Sequence, residues 1–109
     1  MSKVQLINVK DIVQKEIIPG YHAQFVHSEH ITFAMWDIEE GNPMKEHAHP
    51  HEQITYLTEG KFKFIIDGIE NILEPGMIAV IPPLIPHSGL SLSHCKIIDV
   101  FYPTRDEFK

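Results

Sequence analysis

Hydrophobic positions in this chain recur with a period of two far more often than with a period of three to four. In "KFKFII", Lys61 and Lys63 alternate with Phe62 and Phe64, the pattern of a strand with one buried face. "YHAQFVH" and "ITFAMWDI" are β-branched and aromatic runs separated by the polar "SEH", which predicts a hairpin. "QITYLT" leads to a turn at Glu59-Gly60, and Asp67-Gly68 is a strong two-residue hairpin signal between "KFKFII" and "IENIL". The turn "EPG", the strand "MIAVI", the proline-rich loop "PPLIPH" and the strand "CKIIDVFY" follow. Helical periodicity is confined to "VKDIVQKEI", which allows one short helix or an edge strand. About nine or ten short, closely spaced strands predict an all-β sandwich or barrel.

Two polar features interrupt this pattern. In "HAHPHEQ", His47, His49 and His51 alternate ahead of Gln53. If the segment is extended, all four side chains share one face, an arrangement that suits a metal but also a solvated strand face. On the last strand, Asp99 sits among Ile97, Ile98, Val100 and Phe101. Cys95, Ile97, Asp99 and Phe101 share a face, and if that face points inward the carboxyl needs a partner and is free to act as an acid or base. Tyr56, Met35 and Trp36 are expected to fill the core rather than line a pocket. His22, His27, His30 and His94 have no partner spacing and are expected at the surface.

At 109 residues the whole chain, 1–109, is expected to form one domain. Lys+Arg 9 against Asp+Glu 15 gives a net charge of -6 with no basic run, which argues against a nucleic-acid partner. The one cysteine, Cys95, excludes an intrachain disulfide, and no apolar run approaches membrane-spanning length. The opening "MSKVQLINVK" lacks the apolar stretch of a signal peptide, so a cytoplasmic location is expected.

The polar features fall into two spaced motifs. Gly41, His47, His49, Gln53 and Gly60 (residues 41–60) resemble the first cupin motif, and Gly76, Pro82 and His87 (residues 76–91, with Ser91) resemble the second. The resemblance to a small single-domain cupin implies a double-stranded β-helix, or jelly-roll barrel. Carried over position by position, it implies that His47, His49, Gln53 and His87 bind one divalent transition metal such as Zn, Ni, Fe or Mn. Two departures stand out. Gln53 replaces the usual carboxylate, and Leu84 stands where a glycine is expected, with Ser91 where an asparagine is often found. Three imidazoles and an amide leave the full charge of the ion uncompensated, which makes it a stronger Lewis acid and favours non-oxidative chemistry. His51 lies outside the family pattern and follows Pro50, so it is expected at the pocket rim.

"HPHEQ" and the spacing of Asp99, Phe101 and Arg105 around Pro103 look like a subset of cupins that act in pectin and alginate breakdown, converting 4,5-unsaturated uronates to linear keto-uronates. That resemblance implies that Asp99 shuttles a proton, Arg105 holds the carboxylate of an anionic sugar and Phe101 walls the ring. An Asp99–Arg105 ion pair that merely closes the barrel end is the competing reading. Other functions open to small cupins are oxygenation or cyclisation of a phenolic or diketone substrate, and non-catalytic binding of a metal or small ligand. The family also implies a homodimer, for which the apolar "VQLINV" would supply an edge.

Overall fold

A computed structural model describes residues 3–109. After a single 3-10 turn at Val9–Asp11, the described residues form ten strands: β1 (Lys15–Ile18), β2 (Tyr21–His27), β3 (Thr32–Ile38), β4 (Pro43–His47), β5 (Glu52–Glu59), β6 (Phe62–Ile66), β7 (Ile69–Leu73), β8 (Ile78–Ile81), β9 (His87–Ser91) and β10 (Cys95–Tyr102). A second 3-10 turn, Asp106–Phe108, follows the last strand. The strands build two antiparallel sheets, a six-stranded one ordered β1-β2-β3-β10-β5-β8 and a four-stranded one ordered β4-β9-β6-β7. This is the expected all-β jelly-roll architecture. No helix among the described residues is long and apolar enough to cross a membrane.

The alternation read from the sequence sets which face is buried. On β10, Cys95, Ile97, Asp99 and Phe101 are buried while Lys96 and Tyr102 are exposed. On β5, Gln53, Thr55 and Leu57 point inward and Glu52, Ile54 and Tyr56 do not. Leu57, Ile81, Ile38, Ile97, Phe62 and Phe64 form the center of the core between the sheets. The predicted hairpin at Asp67-Gly68 forms with φ of 51° and 76°, the doubly left-handed geometry whose twist matches that of the strands. Gly60 (φ 94°) is required by space as well, because a Cβ there would lie 2.2 Å from the His94 carbonyl oxygen.

Three expectations are corrected. Tyr56 and Met35 are not core residues: strand parity turns both outward, and Tyr56 is 38% exposed. β4 and β9 both lie in stretches that the hydrophobic pattern left without strands. Lastly, "HAHPHEQ" is not one strand. β4 ends at His47 in one sheet, β5 begins at Glu52 in the other, and the residues between cross from sheet to sheet. "VKDIVQKEI" resolves into both alternatives, the 3-10 turn followed by edge strand β1.

Candidate metal centre and substrate pocket

The side chains named from the sequence converge although their strands lie in different sheets. His47 ends β4 and His87 begins β9, and the two are register partners across the β4–β9 ladder, with ring centroids 4.3 Å apart. His49 arrives from the crossing segment, its ring 5.0 Å from that of His87. Gln53 comes from β5, where it pairs with Phe101 on one side and Ile81 on the other. The ligand atoms of His47, His49 and His87 lie within 4.8 Å of one another.

The hydrogen bonds fix how each ring is presented. His47 and His87 donate from Nδ1 to backbone carbonyls, of Lys45 at 2.9 Å and Ile85 at 2.8 Å, whereas His49 has an acceptor at each nitrogen, the His51 carbonyl 3.2 Å from Nδ1 and Gln53 Oε1 3.1 Å from Nε2. The Nε2 of His47 and of His87 is thereby left as a lone-pair donor to a metal, and that of His49 is so in the tautomer protonated at Nδ1. Burial, helped by the Arg105 charge, pushes the His49 pKa down to about 4. The His87 pKa is also lowered, chiefly by burial. His49 is therefore neutral near pH 7.

Two observations show that these residues fit a cation. The Nε2 of His87 is buried and has no hydrogen-bond partner, a costly state for a polar atom. In addition, the Gln53 amide is oriented by its Nε2, which donates to Thr55 Oγ1 at 2.9 Å and Asp99 Oδ1 at 3.4 Å. Its Oε1 thus faces His49 Nε2 at 3.1 Å. A neutral His49 has one proton for two acceptors; in the tautomer protonated at Nδ1, two lone pairs face each other, and a cation would satisfy both.

Asp99 sits beside this cluster. Thr55 Oγ1 donates to its Oδ1 at 2.6 Å. Burial raises its pKa to about 6, against the smaller opposing effects of Thr55, Gln53, Trp36 and Arg105. The expected alternative of an Asp99–Arg105 ion pair does not describe the contacts: Arg105 Nε pairs with Glu107 at 3.1 Å instead. The guanidinium lies over two phenyl rings, 4.8 Å from the centroid of Phe101 and 4.4 Å from that of Phe108. Thr32 Oγ1 accepts from the Arg105 backbone N–H at 2.9 Å, and His51 Nε2 donates to the Thr104 carbonyl at 3.2 Å. His51 thus holds the C-terminal tail at the rim.

A cavity of about 650 Å³ runs between the sheets. Its polar end carries His47, Gln53, His87, Asp99, Phe101 and Arg105. Trp36, expected in the core, packs against the core and also lines this cavity.

Thr55 and Phe108 were not singled out from the sequence. Thr55 shares strand parity with Gln53, a signal that was present, whereas nothing in "RDEFK" marks Phe108 as stacking on both Arg105 and Phe25. Among the histidines expected at the surface, His30 and His94 are exposed, and His94 meets Asp37 at 2.5 Å. His22 is partly buried beside Glu39. His27 is the exception in role, since it is half-buried between Thr32 and the Phe108 carbonyl and helps seat the tail.

Comparison with solved structures places this geometry in a wide group. An RmlC-like cupin from Shewanella frigidimarina superposes with a TM-score of 0.92 at 24% identity, over 98% of this chain and 97% of that one. KdgF from Halomonas sp. superposes with a TM-score of 0.89 at 24% identity, over 96% and 100% of the two chains. Salicylate 1,2-dioxygenase from Pseudoaminobacter salicylatoxidans matches with a TM-score of 0.75 at 15% identity, over 79% of this chain but 28% of its own. Among curated proteins, none matches the sequence significantly. Residues 34–101 match the family described as Cupin domain. That match spans both histidine motifs and most of the barrel, and the chain belongs to the cupin family.

Proposed function

We propose that the protein is a metal-dependent cupin enzyme that ketonises 4,5-unsaturated uronate monosaccharides. The observation that carries this reading is the contact of one side chain, Gln53, with both His49 and Asp99, which sets a buried carboxyl of raised pKa beside the ligand cluster. His47, His49, Gln53 and His87 would hold the divalent metal, which when bound supplies Lewis acidity toward substrate oxygens. The likeness to KdgF accords with the sequence resemblance to uronate-ketonising cupins.

The reaction is an isomerisation and consumes no co-reactant. As the ring opens, the hemiacetal hydroxyl proton leaves, the aldehyde forms at C1 and the ring oxygen becomes the C5 enol. The enol proton is then lost as C4 gains one, giving the ketone. A carboxyl with a pKa of about 6 is suited to both transfers near neutral pH. Arg105, backed by Phe101 and Phe108, presents its guanidinium to the substrate carboxylate. Phe101, buried on β10, forms the adjoining wall.

The test is the ultraviolet absorbance of the unsaturated uronate with metal-loaded protein. Wild type should accelerate its decay and Asp99→Asn should return it to the spontaneous rate; spontaneous decay with wild type would refute the assignment. The largely apolar far end of the cavity favours a second reading, oxygenation or cyclisation of a phenolic or diketone substrate, for which oxygen uptake is the assay. We further propose one cupin domain over residues 1–109, a cytoplasmic location and a homodimer. Exposed Val4, Leu6 and the outward Ile54, Ile78 and Val80 support the dimer.

A further inference from the structure

The cavity is longer than its reactive end requires. Tyr21 and Ile38 are register partners, and Ile38 in turn pairs with Cys95, four residues along β10 from Asp99. At about 3.3 Å per residue, the lining therefore extends some 13 Å along the sheet from the carboxyl. The far part is lined by Ile18 of β1, Tyr21, Ile38 and Met44 of β4, with Asn42 and Lys45 at its margin, while Trp36 stands between this part and Asp99. β1 and β4 are the edge strands of their respective sheets, so this arm follows the seam between two open edges.

Volume argues the same way. A monosaccharide uronate has about twelve non-hydrogen atoms. Even at the ~30 Å³ that a water molecule occupies in the liquid, these would fill only about 360 Å³. The cavity measures about 650 Å³. Protein interiors are close-packed, and an apolar space of this size is characteristic of a ligand site rather than of a core.

We propose that the cavity has two compartments and that, besides a uronate at its polar end, it admits a carboxylate whose body is hydrocarbon or aromatic. The anionic head lies at Arg105 and the histidine cluster, and the body fills the arm between Ile18, Trp36 and Met44. The proposal rests on the reading of the polar end as the reacting end, and it adds to the uronate a second, larger and more apolar class of carboxylate that binds the same end and competes with it. Burying hydrocarbon against these side chains supplies the affinity that a hydrated sugar ring would not gain there.

Trp36 is the only tryptophan and lines the cavity between the arm and Asp99, so its emission reports occupancy of the cavity and the tail's contribution is read from the affinities. The probes are 3-cyclohexylpropanoate, propanoate and galacturonate, titrated into metal-loaded protein and followed by Trp36 fluorescence and calorimetry. The cyclohexyl tail is expected to tighten binding at least tenfold over propanoate and to perturb the Trp36 emission, with galacturonate showing no such gain. Met44→Glu and Ile18→Glu, on different sheets, should each reduce the gain below threefold while metal content stays at the wild-type level. A gain below threefold in wild type, or its persistence in both variants, would overturn the proposal. Turnover of unsaturated uronate is a separate readout. Turnover without the tail preference sinks this inference alone, and the tail preference without turnover sinks the uronate assignment alone.

Discussion

Gln53 and Asp99 are joined by a hydrogen bond across the β5–β10 ladder, the amide nitrogen donating to Oδ1 at 3.4 Å. The residue proposed to complete the ligand cluster therefore also touches the proposed acid–base group, and it does so as a neutral donor. Gln53→Glu should break that compatibility. A carboxylate at this position sets two like charges side by side, so the Asp99 inflection in a pH–rate profile is expected to move upward by at least one unit. Metal content should stay at or above the wild-type level, since a carboxylate is a good ligand. An unchanged inflection would show that the contact does not govern Asp99.

The buried Asp99 also makes stability depend on pH. Its folded pKa of about 6 lies above the ordinary 3.8. A raised folded pKa means that the group's contribution to stability is intact below pH 3.8 and is lost as the pH rises through 6. Asp99→Asn is spared that loss. In metal-free protein the variant should be more stable than wild type at pH 8 by roughly 3 kcal/mol, at about 1.36 kcal/mol per unit. The difference should shrink toward zero at pH 4, as read from urea unfolding at the two pH values.

Chelation should lower the melting temperature, because binding to the folded state alone adds stability with the logarithm of free metal. His87→Ala should lose most of its metal on dialysis, as measured by atomic emission, since it removes a buried imidazole whose Nε2 has no other partner. His51→Ala is expected to keep its metal. Equal retention by the two variants would rule out the four-ligand set.

Leu84 adopts φ of 67°, a left-handed conformation that costs a leucine about 1–2 kcal/mol. Its N–H donates to the His49 carbonyl at 2.8 Å and its side chain is 66% exposed, so little packing depends on the leucine. After the entropy cost of glycine, Leu84→Gly should stabilise the protein by roughly 0.5–1 kcal/mol. Leu84→Ala should not. Thermal melts of the two variants side by side check this.

Removal of residues 1–8 should shift the protein from dimer to monomer in light scattering. Val4 and Leu6 are 91% and 96% exposed, and in the proposed dimer a second copy would cover them. An unchanged mass would place any interface elsewhere.

The sequence made most of the six-stranded sheet legible because its strands bury β-branched and aromatic residues on one parity. It hid β4 and β9 for the opposite reason. On β9 the inward residues are His87, Gly89 and Ser91, small or polar, so the alternation carries no hydrophobic signal. Gly89 is small because a Cβ there would lie 2.4 Å from the Phe62 ring. On β4, "PMKEH" holds no β-branched or aromatic strand former. Motif spacing alone singled out the four candidate ligand positions, whereas strand parity does not account for the histidine alternation. His47 and Gln53 lie in different sheets, and their convergence is a product of the crossing between them, which no periodicity encodes. The leucine in place of a glycine likewise left a trace in the spacing but no indication of its backbone angle.

That crossing gives the histidine cluster a second consequence. His47 and His87 belong to one sheet and Gln53 to the other, so a cation shared among them would act as a clasp between two layers otherwise held mainly by dispersion and exclusion of water. Separating the layers would then require release of the ion. The lifetime of the folded barrel would follow the off-rate of its metal, and a protein that is robust in one growth medium would be short-lived in another.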